Sequence, residues 1–507
     1  MRTLFLVMDT VRRDFLTCYG NDWVHTPNLA KLASRGVTFD NHFVGSLPCM
    51  PARREFMTGR YNFLYRGWGP IEPYDDTLPK WLREQRKVFS HLLTDHDHYF
   101  ELGGENYHTT FNTWEFFRGQ EHDPWASQVD QVALPEGWNK ARKTDKQLGN
   151  NFLNRQRMQT EEEFSGPRTC AAAVEWLEAN KNAKGDWFLQ VELFDPHEPF
   201  HCTKKYLEMY GDKWDGPVTD WPDYDILTES PETVEHMRKC YAGLLTMTDH
   251  WAGKVLAKLE EIGQLDDTLI VYTTDHGTLL GDHGYWLKNF MPMYNEIVRI
   301  PLIVKPPRGA AAKAGSRVAA MTQTIDLMPT FLDYFDCPPP PHLHGRSLRP
   351  LIERGETVRD DGIFGYFGKS TNVTDGRHVY MRMPISDDGR PLHAYTAMPV
   401  ASLNQYFPRS DHDRMEMGRY FGHTYNMPLY KIPVGGSVPR ALPGGPSYRG
   451  RHLLYDVVND PAQQRPLDDP QLEARFVKRM VHHLKACEAP AEQYVRLGLA
   501  APEGGSL

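Results

Sequence analysis

The chain has 507 residues, 40% hydrophobic and 24% charged, with a net charge of −9. That composition is ordinary for a globular protein and excludes disordered and fibrous classes, while the lack of a long basic block argues against a nucleic-acid platform. No apolar run nears the roughly 20 residues needed to cross a bilayer, so no membrane role is expected, and the length suggests about two to three structural units.

The first apolar run, TLFLVMD, ends at Asp9 rather than at a small-residue cleavage site. It reads as a strand and not as a signal peptide, which implies a cytoplasmic protein. Seven cysteines lie scattered without paired spacing, and an odd count in such a chain points to reduced thiols. Cys18, Cys170, Cys240, Cys337 and Cys487 read as small core residues, and Cys202 does too.

Further along, TPNLAKLASRG (26–36) and PRTCAAAVEWLEANK (167–181) carry helical periodicity. Between them SLPCMPARREFMTGR (46–60) sets Cys49 at an apparent helix start, and VFSHLLTDHDHYF (88–100) follows an apolar run with His96 and His98. WFLQVELFDPH ends at Asp195 and His197, and TLIVYTTDHG ends at Asp275 and His276. Three strand-length runs thus terminate in ionisable groups, as expected where parallel strands deliver ligands to the open edge of an α/β sheet. A broad apolar stripe from Met237 through Tyr241, Leu244, Leu245, Met247, Trp251 and Val255 to Leu259 predicts a long core helix over about 235–262.

IPLIVKPP adds a buried strand and QTIDLMPTFLDYFD a helix. The fold class is therefore α/β, a large mostly parallel sheet sandwiched by helices. The proline cluster CPPPPHLHG marks a break, placing a catalytic domain at 1–358 and a smaller α+β domain at 359–507. That second domain is expected to pair an antiparallel sheet (GIFGYFG, RHVYMRMP, HLLYDVVNDP) with the helix QLEARFVKRMVHHLKACE. Stretches 100–165 and 385–450 read as long loops that carry specificity or self-association.

Cys49, Pro51 and Arg53 form a Cys-x-Pro-x-Arg pattern followed by TGR, and this resembles the signature of sulfatases in the alkaline phosphatase superfamily. VMDTVRRDFLTCYG, TPNLAKLASRGVTFDNHF, DPHEPF, TTDHGTLLGDHGYWLK, IPLIV and LLYDVVNDP follow in the family's order over about 460 residues. The resemblance implies that a maturation enzyme oxidises Cys49 to formylglycine, whose hydrated aldehyde can take and then expel a sulfuryl group. Pro51 suits the first turn of a helix, and Arg53 is placed to hold the formylglycine oxygens. Arg54, one step round, reads as an ordinary ion-pair residue.

The resemblance further implies one divalent ion, Ca²⁺, Mn²⁺ or Mg²⁺, held by Asp9, residue 49, Asp275 and His276. Thr10 stands where many sulfatases have a second aspartate, and His276 where many have asparagine; the latter change also occurs in phosphonate monoester hydrolases. His197 is expected to protonate the leaving oxygen and Lys288 to bind sulfate. His283 reads as a supporting loop residue. His96 and His98 take the place of a lysine and histidine, with His98 as base and His96 contacting substrate, provided the chain turns there. Asp95 and Asp97 are candidates for orienting those rings. The expected activity is hydrolysis of a small-molecule or saccharide sulfate ester, with a phosphonate monoester or phosphodiester hydrolase, or a non-catalytic anion-binding relative, as alternatives. Tyr99, Tyr107, Trp114, Phe116, Phe117 and Trp125 could stack on a sugar or aryl group.

Overall fold

The computed structural model describes residues 1–134, 136–138, 145–402 and 405–500. Nine strands form the main sheet: β1 (Arg2–Met8), β2 (Val37–Phe43), β3 (Phe89–Thr94), β4 (Thr113–Phe116), β5 (Trp187–Leu193), β6 (Thr268–Thr273), β7 (Arg299–Ile300), β8 (Leu302–Lys305) and β9 (Ser316–Gln323). Their spatial order is β7-β2-β8-β6-β1-β5-β3-β4, with β9 also on β2. The run β6-β1-β5-β3-β4 is parallel throughout, while β8 pairs antiparallel with both β6 and β2, so the mostly parallel sheet is mixed on one side.

Alternation along β1 divides the core. Leu4, Leu6 and Met8 pack with Val191, Leu244 and Leu245 on one face, whereas Phe5 and Val7 pack with Met50, Phe56 and Phe331 on the other. Successive strand residues point to opposite faces, so a strand covered on both sides must be apolar throughout, which is why TLFLVM shows no polar alternation. The long helix spans Pro231–Glu261, and every stripe residue from Met237 to Leu259 is buried. It starts earlier than its stripe because the Ser230 hydroxyl accepts from the Thr233 amide at 3.3 Å and Pro231 fits the first turn.

A five-stranded sheet follows, in the order Leu453–Asp456, His378–Arg382, Thr371–Thr374, Gly362–Tyr366 and Ser46–Leu47. Only its last pair is parallel, Gly365 opposite Ser46 and Tyr366 opposite Leu47. The helix Pro470–Ala486 covers it with Phe476, Met480 and Leu484. Because Ser46–Leu47 leads directly to Cys49, this sheet anchors the start of the Cys49–Thr58 helix.

The stretches read as loops hold more structure than expected. The first contains β4 and the helix Asp145–Arg155; the second contains a three-stranded sheet of His393–Thr396, Leu429–Pro433 and Glu416–Gly418. Strands of three to five residues are too short to show a period, so their pairing is invisible until their partners are known. Parts of both stretches, 135, 139–144 and 403–404, lie outside the described residues. Among the described residues no helix is long and apolar enough to cross a membrane, and all seven cysteines are free.

His42 on β2 is fully buried, with Nδ1 2.9 Å from Thr322 Oγ1 and no partner for Nε2. Burial, with a smaller push from Arg359, holds its pKa down at about 3. The unfolded chain takes this proton near pH 6.5 and the folded chain only near pH 3, so stability falls as pH drops through that window. His42→Gln is expected to flatten the slope by up to roughly 1.4 kcal/mol per pH unit. Urea midpoints between pH 6.5 and 4.5 check it, and identical slopes in both proteins would refute it.

Candidate active site

Cys49 is the first residue of its helix, and Pro51 sits in the first turn, where no intrahelical donor is lost. The side chain is 3% exposed, and Sγ lies 3.3 Å from His276 Nε2. Burial, then the charge of Asp9, pushes the thiol well above its ordinary range. An unmodified thiol here stays protonated and is a poor nucleophile.

Asp9 follows β1, and its amide donates to the Leu193 carbonyl at 2.9 Å. In-register pairing sets Met8 opposite Leu193 and Val7 opposite Thr273, so Asp9, Asp275 and His276 leave neighbouring parallel strands at one edge. One ligand atom each from Asp9, Cys49, Asp275 and His276 lies within 4.8 Å of the others, and all four residues are buried. His276 Nδ1 is 3.0 Å from the Gly277 carbonyl. A carbonyl only accepts, so Nδ1 carries the proton and Nε2 is left as a ligand. Burial pushes this imidazole down to about 4, and it is neutral at physiological pH. Two carboxylates, a neutral imidazole and residue 49 fit a divalent ion.

Arg53 ties the cluster together. Its guanidinium donates to Asp275 Oδ2 at 2.6 Å, to Asp9 Oδ2 at 2.7 Å, to Glu192, and to the Cys49 carbonyl at 3.1 Å. Burial opposes the charge, but Glu192, Asp9 and Asp275 outweigh it and hold Arg53 well above its usual value. Glu192 is the functional residue that sequence reading missed. It is fully buried on β5 and also accepts from Tyr99 Oη at 2.8 Å and Gln190 Nε2 at 3.0 Å. The available signal was a carboxylate inside a buried, mostly apolar strand, which is retained only with a partner.

Lys288 follows the small hairpin Leu279–Leu280 and Trp286–Leu287 and is 1% exposed. Its ammonium donates to Thr10 Oγ1 at 2.9 Å, and the Thr10 hydroxyl donates on to Asp9. Burial lowers the Lys288 pKa, but Cys49, Glu198 and Asp9 more than reverse this, and it stays cationic. Thr10 therefore joins Lys288 to Asp9 of the cluster. His197 Nδ1 lies 2.8 Å from the Glu198 carbonyl, which fixes the ring and leaves Nε2 for proton exchange.

β3 ends at Thr94 and the chain turns through Asp97–Phe100, so His96 and His98 reach the same side. Their ring centroids are 5.1 Å apart, and both pack on Phe194. The two rings then differ. His96 is fully buried with Nε2 3.5 Å from Asp9 Oδ2. His98 Nδ1 lies 3.0 Å from Glu101 Oε2, and Nε2 lies 3.8 Å from Glu121 Oε2. Of the pair it is His96, not His98, that faces Asp9.

Other expected neighbours lie elsewhere. Asp95 accepts from the Phe194 amide at 2.7 Å and is bridged to Asp195 by Gln120 Nε2, at 2.8 and 2.9 Å, so it orients neither imidazole. Arg54 is buried and forms no ion pair among the described residues. It donates to Asn62 Oδ1, Gly67 O and Gly69 O at 3.0, 3.1 and 2.6 Å, clamping the loop after the helix. Tyr107 is likewise buried and bonds Met50 O and Gly69 O, and with Tyr99 bonded to Glu192 neither ring is a free sugar platform. His283 stacks on Tyr294 at 3.7 Å and contacts Glu296 at 3.1 Å, as a supporting residue.

With this geometry in place, likeness to known proteins becomes informative. The sulfatase family model matches residues 2–337. The chain is 26% identical over 474 residues to N-acetylglucosamine-6-O-sulfatase of Bacteroides thetaiotaomicron, covering 83% of this chain and 82% of that protein. In fold it resembles a structure solved in complex with its substrate D-glucosamine-2-N,6-O-disulfate, with a TM-score of 0.66, 16% identity, and 96% and 98% of the two chains covered. It also resembles the phosphonate monoester hydrolase of Agrobacterium radiobacter, with a TM-score of 0.65, 19% identity, and 96% and 95% covered. The strand-end acids, the buried Cys49 and the family match across two thirds of the chain lead to one conclusion: the chain belongs to the sulfatase family, the hydrolases of sulfuric esters.

Proposed function

We propose that this chain hydrolyses a sulfate monoester on a saccharide, using formylglycine at position 49 and one divalent ion. The convergence of Asp9, Cys49, Asp275 and His276 within 4.8 Å carries the reading, and the glucosamine 6-sulfatase relative supports a sulfated sugar. Asp9, Asp275, His276 and residue 49 would hold the ion, Ca²⁺, Mn²⁺ or Mg²⁺. Once present, the ion and the aldehyde made by a maturation enzyme supply an acidified hydroxyl acceptor and a route for releasing sulfate.

The chain's own groups do the rest. Arg53 fixes both carboxylates and offsets negative charge near residue 49. Lys288, braced on Thr10, binds a sulfate oxygen. His197 gives a proton to the departing alcohol oxygen. His96, with Nε2 3.5 Å from Asp9 Oδ2, is the ring that faces the cluster and is assigned the proton lost during sulfate release, with His98 behind it.

One observation favours a second reading. The fourth member of the cluster is an imidazole, His276, as in phosphonate monoester hydrolases, so a phosphonate or phosphodiester would meet similar charge. Protein co-expressed with a formylglycine-generating enzyme decides between them. An aryl sulfate is expected to exceed the matched aryl phosphonate monoester in kcat/KM by at least about tenfold, or about 1.4 kcal/mol. A carbonyl-reactive probe should label the peptide that contains residue 49. A preference for the phosphonate would favour the second reading, and full activity without label would end both.

A further inference from the structure

A cavity of about 370 Å³ lies beside the candidate active site and has no part in the chemistry above. That size falls within the roughly 300–1,000 Å³ of pockets that take small organic ligands. Three of its lining residues adjoin the site. Pro48 immediately precedes Cys49 in the chain, the Trp68 ring packs nearly perpendicular to the His98 ring with centroids 5.1 Å apart, and Tyr366 Oη donates to the Lys288 carbonyl at 2.7 Å. The organic part of an ester held at residue 49 and Lys288 therefore borders this cavity.

The walls determine what fits. Trp68, Phe367, Met398 and Phe407 give a mainly apolar lining, and flat aromatic faces suit the C–H face of a sugar ring. Gly67 lets Phe367 approach, since a Cβ there would lie 3.2 Å from its ring. Of the lining residues only Arg66 and Glu72 are charged, and they pair with each other at 2.8 Å. Arg66 also donates to both oxygens of Asp75, at 2.8 and 2.7 Å, and Glu72 accepts from Thr396 Oγ1 and from the Ala397 amide. Lys369 stands over the Tyr366 ring at 4.6 Å, but it does not line the cavity and donates to the Asn289 carbonyl. No lining cation is left to meet an anion, so a carboxylate or second sulfate entering here would lose its water without gaining a counter-charge. The Trp68 Nε1–H is buried, has no hydrogen-bond partner among the described residues, and offers a neutral donor instead.

We propose, resting on the sulfate-ester reading above, that this cavity binds the alcohol part of the substrate as a neutral pyranose, a hexose or an N-acetylhexosamine, and selects against a uronate or a ring carrying a second sulfate. Trp68 is its main specificity residue, through its ring face and its free N–H.

Ligand-observed NMR titrations of the full chain with N-acetylglucosamine and, separately, with glucuronate test it. Wild type is expected to bind N-acetylglucosamine at least about tenfold more tightly than glucuronate, and Trp68→Ala to weaken that affinity by about tenfold or more. Gly435→Leu fills the cavity instead of opening it. Gly435 lines the space and, its chain neighbours aside, an added Cβ there meets nothing nearer than Arg390 Nη2 and Asp388 O, both at 3.9 Å. This variant is expected to melt as wild type does and to lose the affinity too. Glucuronate binding as tightly as N-acetylglucosamine overturns the proposal, as does a wild type that saturates with neither, or an affinity for the neutral sugar unchanged in Gly435→Leu. Binding is read without turnover. Its failure would leave aryl sulfate turnover and the label at residue 49 untouched, whereas loss of those two would end the sulfate-ester reading and leave the binding result standing.

Discussion

Cys49→Ala is expected to lose all measurable sulfate-ester turnover, a fall of at least about 10⁴-fold, while folding normally. In the proposed reaction residue 49 is the acceptor, and it shares the four-residue cluster with Asp9, Asp275 and His276. The substitution removes one buried sulfur atom, so the stability cost is about 1 kcal/mol and thermal unfolding shifts by only a few degrees. Cys49→Ser separates attack from release. A serine hydroxyl can displace the alcohol once, forming an oxygen–sulfur bond as the ester oxygen leaves with a proton. It has no second hydroxyl with which to expel the group, so an intact protein carrying one added sulfate should accumulate with a single burst of product. Steady turnover by the alanine variant would dismiss residue 49 as the acceptor.

Arg53→Met should be the most damaging single change to folding. The guanidinium meets Asp9, Asp275 and Glu192, all fully buried, and removing it leaves three carboxylates without their common cation. Breaking a buried ion pair from one side costs roughly 3–5 kcal/mol, enough to remove much of a domain's stability. Two controls make the cause visible. A divalent ion should restore part of the loss by meeting Asp9 and Asp275, and adding Glu192→Gln to Arg53→Met should restore another part by removing the charge that no ion reaches. Neither control is expected to recover turnover, because Arg53 also donates to the Cys49 carbonyl. Denaturant unfolding with and without ion reads these differences. An Arg53→Met protein as stable as wild type in chelator would mean that the three carboxylates do not depend on this arginine.

Burial also explains why the candidate site's groups keep separate protonation states. Arg53, acting against desolvation, holds Asp9 well below the usual carboxylate range, and burial keeps His276 neutral despite the opposing pull of Asp275. Anionic carboxylate and neutral imidazole are the forms a divalent ion requires.

Much of this protein was determined by the sequence alone. Apolar runs ending in Asp9, Asp275 and His197 announced parallel strands because a strand covered on both faces leaves polar groups only at its end. The stripe from Met237 to Leu259 announced the long helix because its spacing matches the helical turn. The motif around Cys49 carried the resemblance to sulfatases, and the family match across residues 2–337 agrees with it. Tertiary structure alone decided which buried charges meet. Glu192 and Arg53 are 139 residues apart, and no local period links them; strand register does. The same holds for His96 against His98 and for Arg54 clamping a loop instead of pairing with an acid. A side chain's own spacing tells which face it occupies, but the partner of a buried charge is set by what other segments bring to that face.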